Sequence, residues 1–380
     1  MVSPVTPEKP SADPAGYGRA RLWLGISAVG TIVTLACAAL LVGLPSRGGI
    51  AGIPLILAFI GLYALVQFPF DLLGGYVLPR RFGRAHPRLG TFFVRLLRGV
   101  LIQSTLLAAV GLALLAGAGL AGIVGVIATG VGLSMLLLVL RGPLARLVAP
   151  LVRRRPEVVS TGPVPVEVLE SEDEGFTGGV LGVLRPRRNL LPVHWREALG
   201  HNGLELAMQR RDAAIESGAW WRGRVAALLF VWTGLAASAV CVGDPAIRTA
   251  TGIIELSLLF TLWSFLGLLV LPTLSRRGVA EIDRRVLRKG VAPDAMATTI
   301  AAMDVLQDDE PSRLPLVEAI FHPIPSVRAR LEDTGRAGGP GYWDVARTMV
   351  FLSASGFGLL GRAVHCNCGR PALWVFLPLD

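Results

Sequence analysis

Apolar residues fall along this chain in long unbroken runs, not in the short alternations of a soluble fold. Runs at 22–44, 50–70, 99–117, 119–140, 224–242 and 250–272 each approach the roughly 20 residues a helix needs to cross a bilayer core. A seventh, 348–360, has only about 13 uncharged residues, so spanning, dipping in and lying on the surface all stay open. The pattern predicts a mainly α, polytopic membrane protein with six to seven spans. The first run is long and closely followed by a second, so it reads as a retained anchor.

Two polar stretches interrupt the spans. The first carries the alternating segment 163–170, an acidic turn into Gly175-Phe176-Thr177-Gly178-Gly179, and a second strand-like run at 180–184. A basic turn, Arg185-Pro186-Arg187-Arg188, follows, and from Pro192 apolar residues recur at helical spacing through Leu199, Leu204, Leu206, Met208, Ala213 and Ile215. The predicted organisation is a disordered tail at 1–18, a four-helix membrane region at 19–141, a cytoplasmic segment at 142–223, a transmembrane hairpin at 224–274, a second cytoplasmic segment at 275–343 and a membrane-associated end at 344–380. The two cytoplasmic segments together make one small α+β domain.

Composition narrows the class. Of 380 residues 52% are hydrophobic and only 17% charged, and the mean hydropathy is +0.58, which excludes an ordinary soluble enzyme. The net charge of +10 sits beside the spans and forms no aromatic-interleaved patch, so the lipid bilayer is the expected partner and nucleic acid is not. Arg19 and Arg21, then Arg80, Arg81, Arg84, Arg88, Arg95 and Arg98, then Arg146, Arg153, Arg154 and Arg155 mark alternate connections; Arg47 and Arg248 stand almost alone in the others. The positive-inside rule places the N-terminus and both polar segments in the cytoplasm, and the expected location is a bacterial inner membrane. Cys37, Cys241, Cys366 and Cys368 make no disulfide framework.

The order strand, Phe-centred glycine turn, strand, helix and two-span hairpin resembles the peptidase unit of the membrane gluzincins, the family of HtpX and the CAAX prenyl endopeptidases. Three further stretches are similar to that family: Phe68-Pro69-Phe70 through Tyr76 with Arg80-Arg81-Phe82-Gly83, then Ser275-Arg276-Arg277 with Asp283-Arg284, then Phe321-His322-Pro323 through Arg328-Ala329-Arg330-Leu331. The resemblance implies a zinc metallopeptidase fold whose H-E-x-x-H helix holds the metal with a later Glu. Anchored on Leu199, Leu204 and Arg222-Gly223, the motif falls on Arg210, Arg211, Asp212, Ala213 and Ala214, and the third ligand on Val279. A guanidinium repels a divalent cation and a methyl or isopropyl group has no donor atom. The expectation is a degenerate site.

Other constellations remain open. A second register lays Glu197-Ala198-Leu199-Gly200-His201 on the motif, keeping one ligand and losing the Glu to Ala198. A nonstandard zinc set of His194, Glu197 and His201, with Glu281 or Asp283 beside it, follows if 192–201 is one helix; an ordinary solvated polar face is the simpler reading. His365, Cys366 and Cys368 suit zinc or Cu(I), or form a compact turn. The acidic run Gln307-Asp308-Asp309-Glu310 reads as a solvated turn, His322 as a turn fixed by its prolines, Asp71 as an interfacial carboxylate, and Trp220, Trp221 and Arg222 as interface anchors. Together these predict a pseudopeptidase without a required cofactor that binds or scaffolds a polypeptide or membrane-protein partner, along the edge of its small sheet. An active enzyme with a nonstandard zinc site is the first alternative. A transporter or channel is the second, disfavoured because no span shows a buried ionisable pair.

Overall fold

The structure, a computed structural model, describes residues 14–47, 51–149, 151–154, 164–171, 173–183, 187–307, 309–332 and 339–378. Five of its helices are long and apolar enough to cross a membrane. These are α1 (Pro14–Val42), α2 (Ile53–Leu72, continued by helical turns to Arg81), α3 (Leu89–Val148), α5 (Ala219–Val242) and α6 (Ala250–Arg288).

A straight helix the length of α3, 60 residues, would reach about 90 Å, some three times the bilayer core. It instead doubles back at Ala121 and Gly122, where Gly122 takes φ 56° and ψ −135°. That conformation is open mainly to glycine. The legs then run side by side. A Cβ added to Gly125 would sit 1.9 Å from the Gly117 carbonyl oxygen, and near the far ends Arg98 Nε donates to the Leu147 carbonyl at 2.8 Å. Five helices therefore make six passes, as the apolar runs predict.

The ends sort by charge. Arg248 of the α5–α6 connection donates to the Gly119 carbonyl at one end of the bundle. At the other, Arg84 of the α2–α3 connection pairs with Asp309 and donates to the Val305 carbonyl, so this basic connection meets the polar domain.

That domain carries a four-stranded sheet in the order β1-β2-β4-β3. Strands β1 (Val152–Arg154) and β2 (Val166–Glu170) are antiparallel, β2 and β4 (Arg188–Pro192) parallel, and β3 (Gly179–Leu181) antiparallel to β4. The predicted strands at 163–170 and 180–184 correspond to β2 and β3. The stretch read as a basic turn runs into β4, because the three apolar positions Leu190, Leu191 and Pro192 bury against the helices. Helices α4 (Trp195–Glu216), α7 (Pro293–Gln307), α8 (Pro315–Phe321) and α9 (Val327–Glu332) complete it. Residues 1–13 of the tail expected to be disordered lie outside the described residues; from Pro14 the chain is already helical in α1.

Of the three positions left open for the seventh apolar segment, spanning, dipping in and lying on the surface, its contacts with the mid-span residues Tyr63, Gln103 and Thr261 fit a segment that enters the bundle. Helix α10 (Val345–Leu352) and the π turn Ser353–Phe357 are buried almost throughout, and the chain stays buried through α11 (Pro371–Val375). This end of the chain fills the interior of the bundle. Its polar groups are met there: Tyr63 Oη donates to the Leu359 carbonyl at 3.0 Å, Gln103 Nε2 to Ala354 at 2.9 Å and Arg141 Nε to Val375 at 2.9 Å.

Candidate functional site

Helix α4, the first pass of the hairpin and the stretches 275–283 and 322–331 converge at one place. Arg210 Nε donates to Asp283 Oδ1 at 2.9 Å, and Arg330 approaches the same carboxylate through Nε to Oδ2 at 2.8 Å and Nη2 to Oδ1 at 3.1 Å. All three residues are buried. Segments singled out by resemblance thus meet in an Arg–Asp–Arg cluster that includes Arg210, the residue expected from the sequence register at the first histidine.

Arg211, expected from the same register at the catalytic Glu, is wholly buried. Nη1 donates to the Leu190 carbonyl and Nη2 to the Thr177 carbonyl, both at 2.6 Å, while its guanidinium lies 5.1 Å from the Trp195 ring centroid. It ties α4 to the sheet. Ala214 and Val279 are each 0% exposed and pack with Ala213, Trp220, Ile282 and Met296 in one apolar cluster. Zinc takes nitrogen, sulfur or oxygen donors at about 2.0–2.3 Å. Here the four positions offer two guanidiniums already engaged, a methyl and an isopropyl group. They do not fit a divalent metal.

The alternative sets are not assembled either. Gly200 takes φ 64°, which divides α4 and breaks the helical spacing that would align His194, Glu197 and His201. Glu197 and His201 are exposed while His194 is half-buried. Burial holds His194 below the ordinary imidazole value, against the raising influence of Glu174 and Asp173 nearby. The second register shares the same broken helix. Glu281 is bound to Arg222 by contacts of 3.0 and 2.8 Å and accepts from the Gly341 amide at 2.6 Å, and Asp283 is held by its two arginines. Cys366 and Cys368 are buried in a compact turn, their thiols near Asn367 Oδ1 at 3.5 Å and the Ala363 carbonyl at 3.4 Å. His365 faces His322 with ring centroids 5.1 Å apart. Among the described residues no group of three or more His, Cys, Asp or Glu is placed to hold a metal ion.

Several side chains sit differently from their sequence reading. Asp71 is not interfacial. It is 0% exposed and paired with Arg362, while Oδ1 accepts from the Gly369 amide at 2.8 Å. A buried ionisable pair does therefore exist, but its cation comes from the buried C-terminal segment and not from a span. Trp220 is no interface anchor: it is 1% exposed, with the Arg224 guanidinium 4.0 Å from its ring centroid. Trp221 remains 42% exposed. In the acidic run Asp309 pairs with Arg84; Asp308 lies outside the described residues. The sheet edge is also partly occupied, since the Val180 carbonyl of β3 accepts from Arg224 Nη2 at 3.0 Å.

One cluster escaped sequence reasoning. Arg141, Arg224 and Asp344 are all buried, with Arg224 Nε 3.1 Å and Arg141 Nη1 3.6 Å from Asp344 Oδ2. The signal for it was an arginine at the end of the fourth run, another at the start of the fifth and an acid opening the seventh.

No protein-family model matches the sequence, and no curated protein matches it. Among solved structures the chain is similar to the crystal structure of Ste24p of S. mikatae, with a TM-score of 0.68 at 10% identity, covering 88% of this chain and 92% of that one. The fold is Ste24p-like.

Proposed function

We propose that this chain is a catalytically inactive relative of the membrane zinc metallopeptidases, retained as a membrane scaffold for a polypeptide or membrane-protein partner. Its structural neighbour Ste24p is a CAAX prenyl endopeptidase, a zinc metalloprotease. The observation that supports the reading is the set of contacts made by the residues expected from the resemblance at the metal site. Arg210 is locked to Asp283, Arg211 to the Leu190 and Thr177 carbonyls, and Ala214 and Val279 are sealed in an apolar core. A proteolytic site needs a donor set, a water-activating base and access. In this reading ion pairs and apolar packing take the place of that set.

With β3 capped by Arg224, strand β1 at the opposite edge is the side on which an extended polypeptide would add. The polar domain and the N-terminus face the cytoplasm in this reading, because the basic connections share the domain's end of the bundle. The test is proteolysis of prenylated and unprenylated peptides by protein supplied with zinc. No turnover above that of a protein-free blank is expected; zinc-dependent cleavage by the protein would overturn the proposal.

A further inference from the structure

One exposed leucine on a protein surface needs no explanation, but a segment that turns its apolar side chains out and its charges in does. The stretch 311–324, which holds α8, is of that kind. Leu314 and Leu316 are exposed at 73% and 72%, and Pro315 between them is exposed as well. The two charged residues of the stretch, Arg313 and Glu318, both face inward. The Arg313 side chain is 2% exposed and lies 3.5 Å from Asp304 and from Glu310, with Nη1 donating to the Ile324 carbonyl at 3.2 Å. Glu318 is buried, and its Oε2 accepts from Ser326 Oγ at 2.7 Å. A helix in water has the opposite arrangement.

Bonds to α6 fix the level of this outer face. Leu266, Leu269 and Val270 are exposed along the apolar part of α6, and Thr273 and Arg276 follow within about two turns. Arg276 Nη1 donates to the Glu318, Ala319 and His322 carbonyls at 2.6, 2.7 and 3.1 Å, and Thr273 Oγ1 to that of Ala319 at 3.5 Å. Leu316 precedes Ala319 by one turn, about 5 Å along α8. The headgroup layer on each side of the hydrocarbon is about 5–8 Å thick, so Leu316 stays at or beside that layer whichever way α8 points. The apolar surface also continues from the spans to α8: Ile320 and Phe321 line the same cleft between α1 and α6 as Leu22 and Leu269.

We propose that α8 is a membrane-surface element of the polar domain, with Leu314 and Leu316 seated in the bilayer where headgroups give way to acyl chains. The occupant is lipid because the contacts to Thr273 and Arg276 hold this face at the end of a span, beside acyl chains that surround the protein wherever it resides. The inward pairs of Arg313 and Glu318 keep the charges of the stretch out of the apolar layer. The polar domain is thereby held at the membrane twice, through the spans and through α8.

The experiment is fluorescence quenching of the full chain in phosphatidylcholine nanodiscs. Leu314→Cys, Leu316→Cys and Ala292→Cys are made singly in a Cys37→Ser/Cys241→Ser background, Cys366 and Cys368 being buried, and each is labelled with a nitrobenzoxadiazole fluorophore. Ala292 is the aqueous reference, exposed at the opposite end of α7 from the Val305 carbonyl that Arg84 meets. The quenchers are a lipid bearing a nitroxide near the top of its acyl chain, and iodide in the water. At 314 and 316 the expected emission is blue-shifted, shielded from iodide and quenched by the nitroxide about threefold or more over position 292. Iodide quenching at 316 equal to that at 292 would place the face in water and overturn the proposal. Blue-shifted emission without nitroxide quenching would show that protein, such as a second copy of the chain, covers the face, and would overturn it as well.

Discussion

Replacing Asp283 by Asn removes the single negative charge between Arg210 and Arg330 and leaves two guanidiniums buried. Removing one partner of a buried ion pair costs about 3–5 kcal/mol, and a carboxylate that serves two cations belongs at the upper end. About 5 kcal/mol is more than a thousandfold in the folded-to-unfolded ratio. The assay is equilibrium unfolding in mixed detergent micelles, read from the fluorescence of the eight tryptophans. The same logic fixes the sign of a second change. Arg210→Met destabilises the unaltered protein, but in the Asp283→Asn background it removes an uncompensated charge and should recover about 1–3 kcal/mol. A loss below about 1 kcal/mol for Asp283→Asn, or no recovery in the double variant, would refute the claim that this cluster stands as a buried structural substitute for a metal site.

Three further outcomes follow from other contacts. Arg370 pairs with Asp173; burial alone would raise the Asp173 carboxyl, but the Arg370 guanidinium outweighs it, helped by Arg21 and the Gly175 amide, and holds it below the usual carboxylate range. Because the folded value is the lower one, this contribution is intact above the unfolded value of about 3.9 and fades as pH falls through the folded value; Asp173→Asn should flatten the acid limb of a stability–pH profile, and an unchanged limb would contradict the pairing. Gly75→Ala should disrupt docking of the C-terminal segment, since its Cβ would lie 2.2 Å from the Gly369 carbonyl oxygen; the check is protease sensitivity at 358–378, and unchanged protection would count against the packing. In intact cells a membrane-impermeant maleimide should label exposed Cys241 and spare buried Cys366 and Cys368; labelling of Cys241 only after permeabilisation would reverse the assigned orientation.

The membrane architecture was legible because hydrophobic runs of about 20 residues have few other uses in a folded chain. The doubled α3 also reads as two runs, although with no charge to mark the turn the sequence divides it at residue 118 and the turn lies at Ala121 and Gly122. Strand β4, as long as β2, was missed because its basic start imitates a turn. The segment after residue 344 was harder for a physical reason. A 13-residue apolar run signals burial but does not say in what, and here protein, not lipid, surrounds it. Arg210, Arg211, Ala214 and Val279 could be placed only by resemblance. Their roles became clear from partners far away in sequence: Asp283, the Leu190 and Thr177 carbonyls, and the apolar cluster. The break at Gly200 is invisible to residue spacing, which is why His194, Glu197 and His201 looked compatible with one face.

Elemental analysis of the detergent-purified protein after exposure to zinc and desalting tests the central claim most directly. The account predicts zinc well below stoichiometric, unchanged by His194→Ala and by Cys366→Ser. Stoichiometric zinc lost in His194→Ala would contradict it.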